Sequence, residues 1–437
     1  MGERRRYAIL ALLFFATLIN YIDRQVLSIL KGPLSLEHGW SEGDYARLLL
    51  CFQVAYALGQ AGSGLLLDRI GLKFGFALFV AAWSLAAASH AWAASLVGFG
   101  ICRFLLGLTE ASNWPASAKA TGEWFAPRDR AFATGVWNTG SATGAVIAAP
   151  LVTWIAVRFA TAHADGTTTP NGAAAFLSTA ALGGAWIALW LCIYRPRATA
   201  VLPTATATTK AAGAPAATAA AANATDDDPS QAVSRAELLR RPELWGLFFA
   251  RFLTDPVWWF FLLWLPGYLS KERGLSLAEI GAVAWIPFLF ADLGSLAGGI
   301  GSSWLVRRGV PVLAARKRIM LGAACLTPFA ILAAREGSVA GIIACGSIAG
   351  FAHQAYASSV LTLPADLFRG AVVATCSGIS GLGATLGGIL ASLATGWWLD
   401  LHPGGYGPLF VLAGLCHPVA VALLFLLIGG RRSAAPR

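Results

Sequence analysis

The sequence predicts an all-α membrane protein of twelve transmembrane helices, arranged as two six-helix halves related by pseudo-symmetry. Three observations carry that prediction. Of 437 residues, 57% are hydrophobic and only 12% charged, against about 25% charged in an ordinary soluble domain. The apolar residues gather in twelve stretches, and a spanning helix needs roughly 20 such residues. One long low-complexity segment then separates the first six stretches from the last six.

The stretches lie near 7–30, 46–68, 74–94, 96–118, 132–157, 173–194, 244–269, 277–303, 319–334, 338–363, 371–396 and 406–429. The first follows Arg4-Arg5-Arg6 but contains Asn20, Asp23 and Arg24 and lacks a small-residue cleavage site. It reads as a retained span and not as a signal peptide. Most of the 32 Lys and Arg residues fall at the chain ends and in the even-numbered loops. Basic loops stay inside, so both termini are expected in the cytoplasm of a multi-pass protein. The net charge of +10 is this topological bias spread over many loops, and it calls for no nucleic-acid partner. The seven cysteines all fall in predicted spans without a C-x-x-C spacing. They read as small buried apolar residues, with no disulfide framework or metal site.

Ala198 to Ser230 is mostly Ala and Thr, with Pro203, Pro215 and the run Asp226-Asp227-Asp228. Such a segment cannot bury a core and is expected to be a flexible linker. The chain therefore divides into an N-terminal half (1–194), a cytoplasmic linker (195–243) and a C-terminal half (244–437). The halves echo each other. Aligning Gly71 with Gly309 also aligns Arg69 with Arg307, although Asp68 then falls on Val306. A second echo links Trp124-Phe-Ala-Pro-Arg-Asp-Arg-Ala to Leu367-Phe-Arg-Gly-Ala-Val-Val-Ala. Duplicated six-helix halves are a transporter signature, with the substrate site near the midplane between them.

On these residues the chain resembles the major facilitator superfamily over nearly its whole length. Gly64-x-Leu66-x-Asp68-Arg69-x-Gly71-x-Lys73 looks like that superfamily's loop between spans 2 and 3, departing from it at Leu72 and Phe76. Asn20-Tyr21-x-Asp23-Arg24 in span 1 and Arg103-Phe-Leu-Leu-Gly107-Leu-Thr-Glu110 in span 4 resemble the anion:cation symporter family. Asn113-Trp114-Pro115-Ala116, Glu123-Trp124-Phe125 and the run from Asp255 to Leu269 fit its hexuronate branch. The resemblance implies the major facilitator fold, with spans 1, 4, 7 and 10 lining a central cavity. It also implies proton-coupled import of a sugar acid across the inner membrane by a monomer, with no cofactor.

Asp23 and Arg24 carry the sharpest functional signal, because ionisable residues inside a spanning helix are costly and by default functional. Asp23 lies about 24 Å along span 1 at 1.5 Å per residue, well past the midplane. Arg103, at a similar level on span 4, shares a helix face with Glu110, seven residues on. Arg24 keeps its charge and offers a planar fork that matches a carboxylate, which makes it the candidate anion ligand. Asp23 and Glu110 can be neutral or charged and are the candidate proton carriers, as the resemblance also implies. Arg103 is placed to hold either acid ionised.

A sugar acid also presents hydroxyls and an apolar ring face, which aromatic and amide side chains cover. Candidates are Tyr21, Tyr56, Trp137 and Asn138, then Trp258, Trp259, Phe261 and Trp264 on span 7, and His353, Gln354 and Tyr356 on span 10. Trp258 and Phe261 share a helix face and Trp259 lies on another. His417 reads as structural. Arg251 and Asp255 are spaced i, i+4 and are expected to pair near the cytoplasmic end of span 7 as a gate contact. With them, Gly64, Asp68, Arg69 and Gly71 form the expected gating elements. Asp292, in the middle of span 8, has no firm role, a gate or helix-breaking contact being preferred over protonation. Gly140-xxx-Gly144 and Gly383-xxx-Gly387 allow close helix approach. There is no Gly-Lys dipeptide and hence no nucleotide P-loop.

The leading reading is a proton-coupled symporter for a monovalent hexuronate such as galacturonate or glucuronate. A transporter of aldonates, aldarates or another small carboxylate is the nearest rival. A membrane enzyme would need a catalytic constellation and a sensor would need a signalling domain, and the sequence displays neither.

Overall fold

Gly71 and Gly309, the residues that align the two halves, both adopt positive φ, 82° and 87°. Each ends a long helix at the same point of its half, in a conformation that glycine enters without steric cost. This is the sequence repeat expressed as backbone geometry. The computed structural model describes residues 2–162, 168–196, 235–276, 279, 280, 283, 285–368, 370–402 and 404–429. The low-complexity stretch 198–230 lies outside the described residues.

Among the described residues, twelve helical spans follow one another. Spans 1 to 3 are Gly2–Ile29, Glu42–Ile70 and Leu72–Ser89. Span 4 is broken into Leu96–Glu110 and Asn113–Trp124, and spans 5 and 6 are Pro127–Arg158 and Gly172–Ile193. Span 7 is Pro242–Arg273, and span 8 is described from Ile286 to Arg307. Span 9 is broken into Val312–Leu326 and Phe329–Ala333, span 10 into Val339–Val360 and Leu363–Leu367. Spans 11 and 12 are Val373–Leu401 and Gly407–Gly429. Helices are required here because lipid offers the backbone no hydrogen-bond partner. Several spans start on a side-chain cap: Ser41, Ser95, Asn171 and Ser338 each accept from a backbone N–H three residues on. Between spans 5 and 6, Thr161–Ala162 pairs antiparallel with Thr168–Thr169, a short ribbon that the sequence reading does not anticipate.

Packing repeats between the halves. Spans 1 and 5, 2 and 4, and 3 and 6 pack together, as do 7 and 11, 8 and 10, and 9 and 12. The halves meet through spans 2 and 11 and through spans 5 and 8. Close approach depends on glycine. A Cβ on Gly140 or Gly144 would come within 2.6 Å of span 1 backbone oxygens. On Gly383 or Gly387 it would lie 2.4 or 2.1 Å from span 7 oxygens. Both Gly-xxx-Gly pairs are therefore helix-packing seams.

The cysteines depart from expectation. All seven are free, but only Cys102, Cys345 and Cys376 are buried, while Cys192 and Cys325 are exposed on the outer surface of the helices. A small apolar thiol is compatible with lipid contact as well as with a core.

Candidate functional site

By the topology, both ends of the chain lie on one face, here called the terminal face. Between the halves lies a cavity of about 110 Å³, lined from spans 1, 2, 4, 5, 7, 10 and 11. Its N-terminal wall is organised by Arg24. Nε and Nη2 of Arg24 donate to Glu110 Oε2 at 3.3 and 3.2 Å, and Nη2 also donates to Asn20 Oδ1 at 3.2 Å. The rings of Tyr21, Phe52 and Tyr56 surround the guanidinium, their centroids 4.8 to 5.0 Å from its carbon, within cation–π range. Glu110 is fully buried at the end of the first segment of span 4, and its Oε1 has no partner. Asn20 Nδ2 donates to the Glu110 carbonyl at 3.2 Å, and Asn113 Nδ2 donates to Thr17 Oγ1 at 3.1 Å. These bonds fix the break in span 4 against span 1.

Asp23 and Arg24 do not act as one unit. Adjacent helical residues point in directions about 100° apart; Arg24 reaches the cavity, whereas Asp23 is buried beside Thr179 of span 6. Neither Asp23 oxygen has hydrogen-bond geometry to a partner. It stays within electrostatic reach of Glu110 and Arg103. Arg103 stays within electrostatic reach of both acids, as expected, but makes no ion pair with them. Its Nη1 donates to the Arg24 carbonyl at 3.3 Å, and Nε and Nη2 are buried without partners.

The C-terminal wall carries a second arginine–acid pair. Arg251 Nη2 donates to Asp255 Oδ2 at 2.6 Å, and both residues line the same cavity as Arg24. The pair exists as expected, but it lines the cavity and does not sit at the helix end, because span 7 already begins at Pro242 and runs for 32 residues. Trp258 and Trp259 both line the cavity; Phe261 faces an adjoining apolar recess with Val257 and Phe288, which shares Trp258 and His353 with the cavity. Trp258 and Phe261 share the recess, as their common helix face predicts, and Trp259 is absent from it; the main cavity takes Trp258 and Trp259 but not Phe261. Trp258 stacks on His353 at 5.8 Å, and His353 Nδ1 lies 3.0 Å from His417 Nε2. Asn138 Nδ2 donates to Gln354 Oε1 and to Ser295 Oγ, both at 2.9 Å, bonding span 5 to spans 10 and 8 across the halves. Gln60, Ser141 and Thr385 also line the cavity and escape the sequence reading, while Trp114, noted there only as part of a family motif, faces it too. Phe52, Tyr56 and Gln60 recur every four residues, a stripe that would have found the first and last of them.

The terminal face is closed. Asp68 Oδ1 accepts from Lys119 Nζ at 2.7 Å, while Oδ2 accepts from Thr375 N and Oγ1 at 2.8 and 2.7 Å. One carboxylate thus ties spans 2, 4 and 11. Gly64 permits it, since a Cβ there would lie 2.3 Å from the Ala374 carbonyl. Gly71 caps the same helix, and Arg69 is exposed. Three further pairs clamp this face: Arg307 with Asp129 at 2.8 Å, and Asp366 with Arg130 at 3.1 Å and Arg316 at 2.9 Å. Asp292 lies between the halves farther from this face. Its Oδ2 accepts from Thr143 Oγ1 at 3.3 Å and its Oδ1 is buried without a partner.

A family model described as the Major Facilitator Superfamily matches residues 13–334. The chain belongs to the major facilitator superfamily. It is thus a multi-pass membrane transporter and not an enzyme. The chain is 32% identical to the hexuronate transporter of Escherichia coli strain K12 over 414 residues, 93% of this chain and 90% of that one. It is also 32% identical to the galacturonate transporter of Dickeya chrysanthemi over 295 residues, covering 67% and 80% of the two chains. The solved structure of the superfamily transporter FucP in its outward conformation superposes with a TM-score of 0.69 at 15% identity, over 97% of this chain and 99% of that one. At that identity the likeness concerns the fold, and it agrees with the two six-helix halves.

Proposed function

We propose that this transporter is a proton-coupled symporter that imports a sugar-acid anion, a hexuronate such as galacturonate or glucuronate, by alternating access. It does so as a monomer in the inner membrane, with the terminal face in the cytoplasm. The observation that carries this reading is the cavity-lining Arg24, ringed by aromatic side chains and held by a buried acid. The similarity to transporters named for hexuronate and galacturonate supports the same substrate class.

The coupling follows from competition for one guanidinium. A substrate carboxylate that engages the fork of Arg24 displaces Glu110. A buried carboxylate stripped of its cation costs about 3–5 kcal/mol, so Glu110 takes up a proton as the substrate binds. Proton first gives the same result, since a neutral Glu110 releases Arg24 to the substrate. Asp23 serves as a second acid in electrostatic contact with Glu110. Tyr21, Tyr56, Trp258 and Trp259 cover the sugar ring, and Asn138, His353 and Gln354 address its hydroxyls.

An aldarate is the second reading, favoured by Arg251 on the opposite wall: a dicarboxylate would engage both arginines. Uptake of labelled galacturonate, glucuronate, galactonate and galactarate into proteoliposomes under an imposed proton gradient tests both readings. Gradient-driven uptake of the uronates is expected, and preference for the dicarboxylate would favour the second reading. No gradient-driven uptake of any of the four would sink the proposal.

A further inference from the structure

A second crevice, of about 500 Å³, opens on the terminal face between the starts of spans 1 and 5 and the end of span 8. It shares no lining residue with the central cavity. Three guanidiniums converge there on one carboxylate. Arg307 Nη2, Arg6 Nη1 and Arg128 Nε lie 2.8, 3.6 and 3.8 Å from the oxygens of Asp129. Glu3 approaches Arg6 at 3.6 Å, but its side chain is 88% exposed, so solvent screens it. Arg308 stacks over Trp304 at 4.6 Å and adds a fourth cation. Cations therefore outnumber acids, and Arg6 Nε is buried with no partner.

The walls are apolar. Phe132, Ile300 and Trp304 line the crevice below the arginines, and Tyr7 and Trp304 are each about half exposed. All these residues sit at the ends of helices long and apolar enough to cross a bilayer. Guanidiniums beside half-exposed Tyr and Trp at the end of a span match the layer where phosphates meet acyl chains. Arginine forks also fit phosphate oxygens bidentately. A soluble anion would use the arginines but not the apolar wall.

We propose that this crevice binds the phosphate of an anionic phospholipid from the leaflet at the terminal face, with an acyl chain along Ile300 and Trp304. Arg6 and Arg128 belong to the N-terminal half and Arg307 to the C-terminal half. A headgroup shared among them bridges the halves and favours the state in which the terminal face is closed. This holds whatever the transported substrate is.

Native mass spectrometry of the full-length protein, titrated with phosphatidylglycerol or phosphatidylcholine of matched chains, tests the binding. The expected result is selective retention of phosphatidylglycerol, with Arg128→Gln weakening it roughly fivefold and Trp304→Ala also weakening it. Arg128 makes only the 3.8 Å contact with Asp129, so its variant leaves the clamp in place. Equal retention of the two lipids, or no effect of Arg128→Gln, overturns the proposal. Displacement by free glycerol phosphate as effective as by the lipid also overturns it, in favour of a soluble-anion site. In nanodiscs, hydrogen exchange over residues 127–132 and 300–307 should be slower with phosphatidylglycerol than with phosphatidylcholine. Arg128→Gln should erase that difference; a difference that persists in the variant rejects the bridging role.

Discussion

Arg24 of span 1 and Glu110 of span 4 are joined at 3.2 Å, the arginine facing the cavity and the acid fully buried behind it. The pair leaves Glu110 Oε1 without a hydrogen-bond partner, so Arg24 is the guanidinium in direct contact with the buried acid, with Arg103 acting on it only at longer range. Whatever competes for Arg24 changes the environment of Glu110, and the reverse holds equally. If Arg24 binds the anion and Glu110 the proton, as proposed, their sharing of one cation couples the two.

Arg24→Lys keeps the charge and removes the fork. Lysine cannot reproduce paired N–H donation to a carboxylate. Hexuronate uptake should fall at least tenfold, through apparent affinity, while expression and detergent stability remain normal. Uptake by the lysine variant with near-normal affinity would remove Arg24 from the substrate site.

Asp68→Asn should loosen the terminal face. The carboxylate accepts from Lys119 and from two donors on Thr375, and a neutral amide cannot satisfy all of them. Hydrogen exchange in 64–75 and 370–380 should rise several-fold and uptake should drop. Unchanged exchange in both segments would mean that the three arginine–aspartate pairs hold this face without Asp68.

Glycine substitutions should sort by what a Cβ meets. At Gly294 a Cβ would lie 2.1 Å from the Phe351 carbonyl, whereas at Gly322 nothing lies within 4 Å. Gly294→Ala should destabilise by about 1–3 kcal/mol through overpacking of spans 8 and 10. Gly322→Ala should be neutral or stabilising by about 0.5–1 kcal/mol from reduced chain entropy. Thermal unfolding in detergent measures both, and equal shifts would refute the packing assignment.

The spans were legible in the sequence because lipid imposes a length and an apolar composition on each of them. Their interruptions were less so. Span 9 begins at Val312, ahead of its apolar run, because Arg316 and its neighbours continue the helix into the terminal-face clamp. Many residue types that line the cavity were legible, as was the i, i+4 pair of Arg251 and Asp255, but the partners distant in sequence were not. Asp23 beside Arg24 reads as a pair in one dimension, although a helix turns them onto different faces. Nothing near Asp68 in sequence announces Thr375, which lies 307 residues away. Arg103 satisfies a backbone carbonyl, a partner that no pattern of charges could indicate.

The number of protons per cycle is decided by how the membrane potential acts. A uronate carries one negative charge, so import with one proton moves no net charge and draws nothing from the potential. If both Glu110 and Asp23 are loaded, each cycle moves one net positive charge inward, worth about 2.3 kcal/mol per 100 mV. At 1.4 kcal/mol per tenfold, that is an accumulation factor of roughly 50 per 100 mV. Two buried acids in electrostatic contact on one half favour the two-proton cycle. An inside-negative potential imposed without a pH gradient should therefore drive uptake into proteoliposomes. Glu110→Gln should abolish that accumulation while sparing exchange of labelled for unlabelled substrate, since exchange needs Arg24 but no net proton movement. If the unmodified protein gives no response to voltage, one proton per substrate is the better account, and Glu110 alone then carries it or serves only as the structural partner of Arg24.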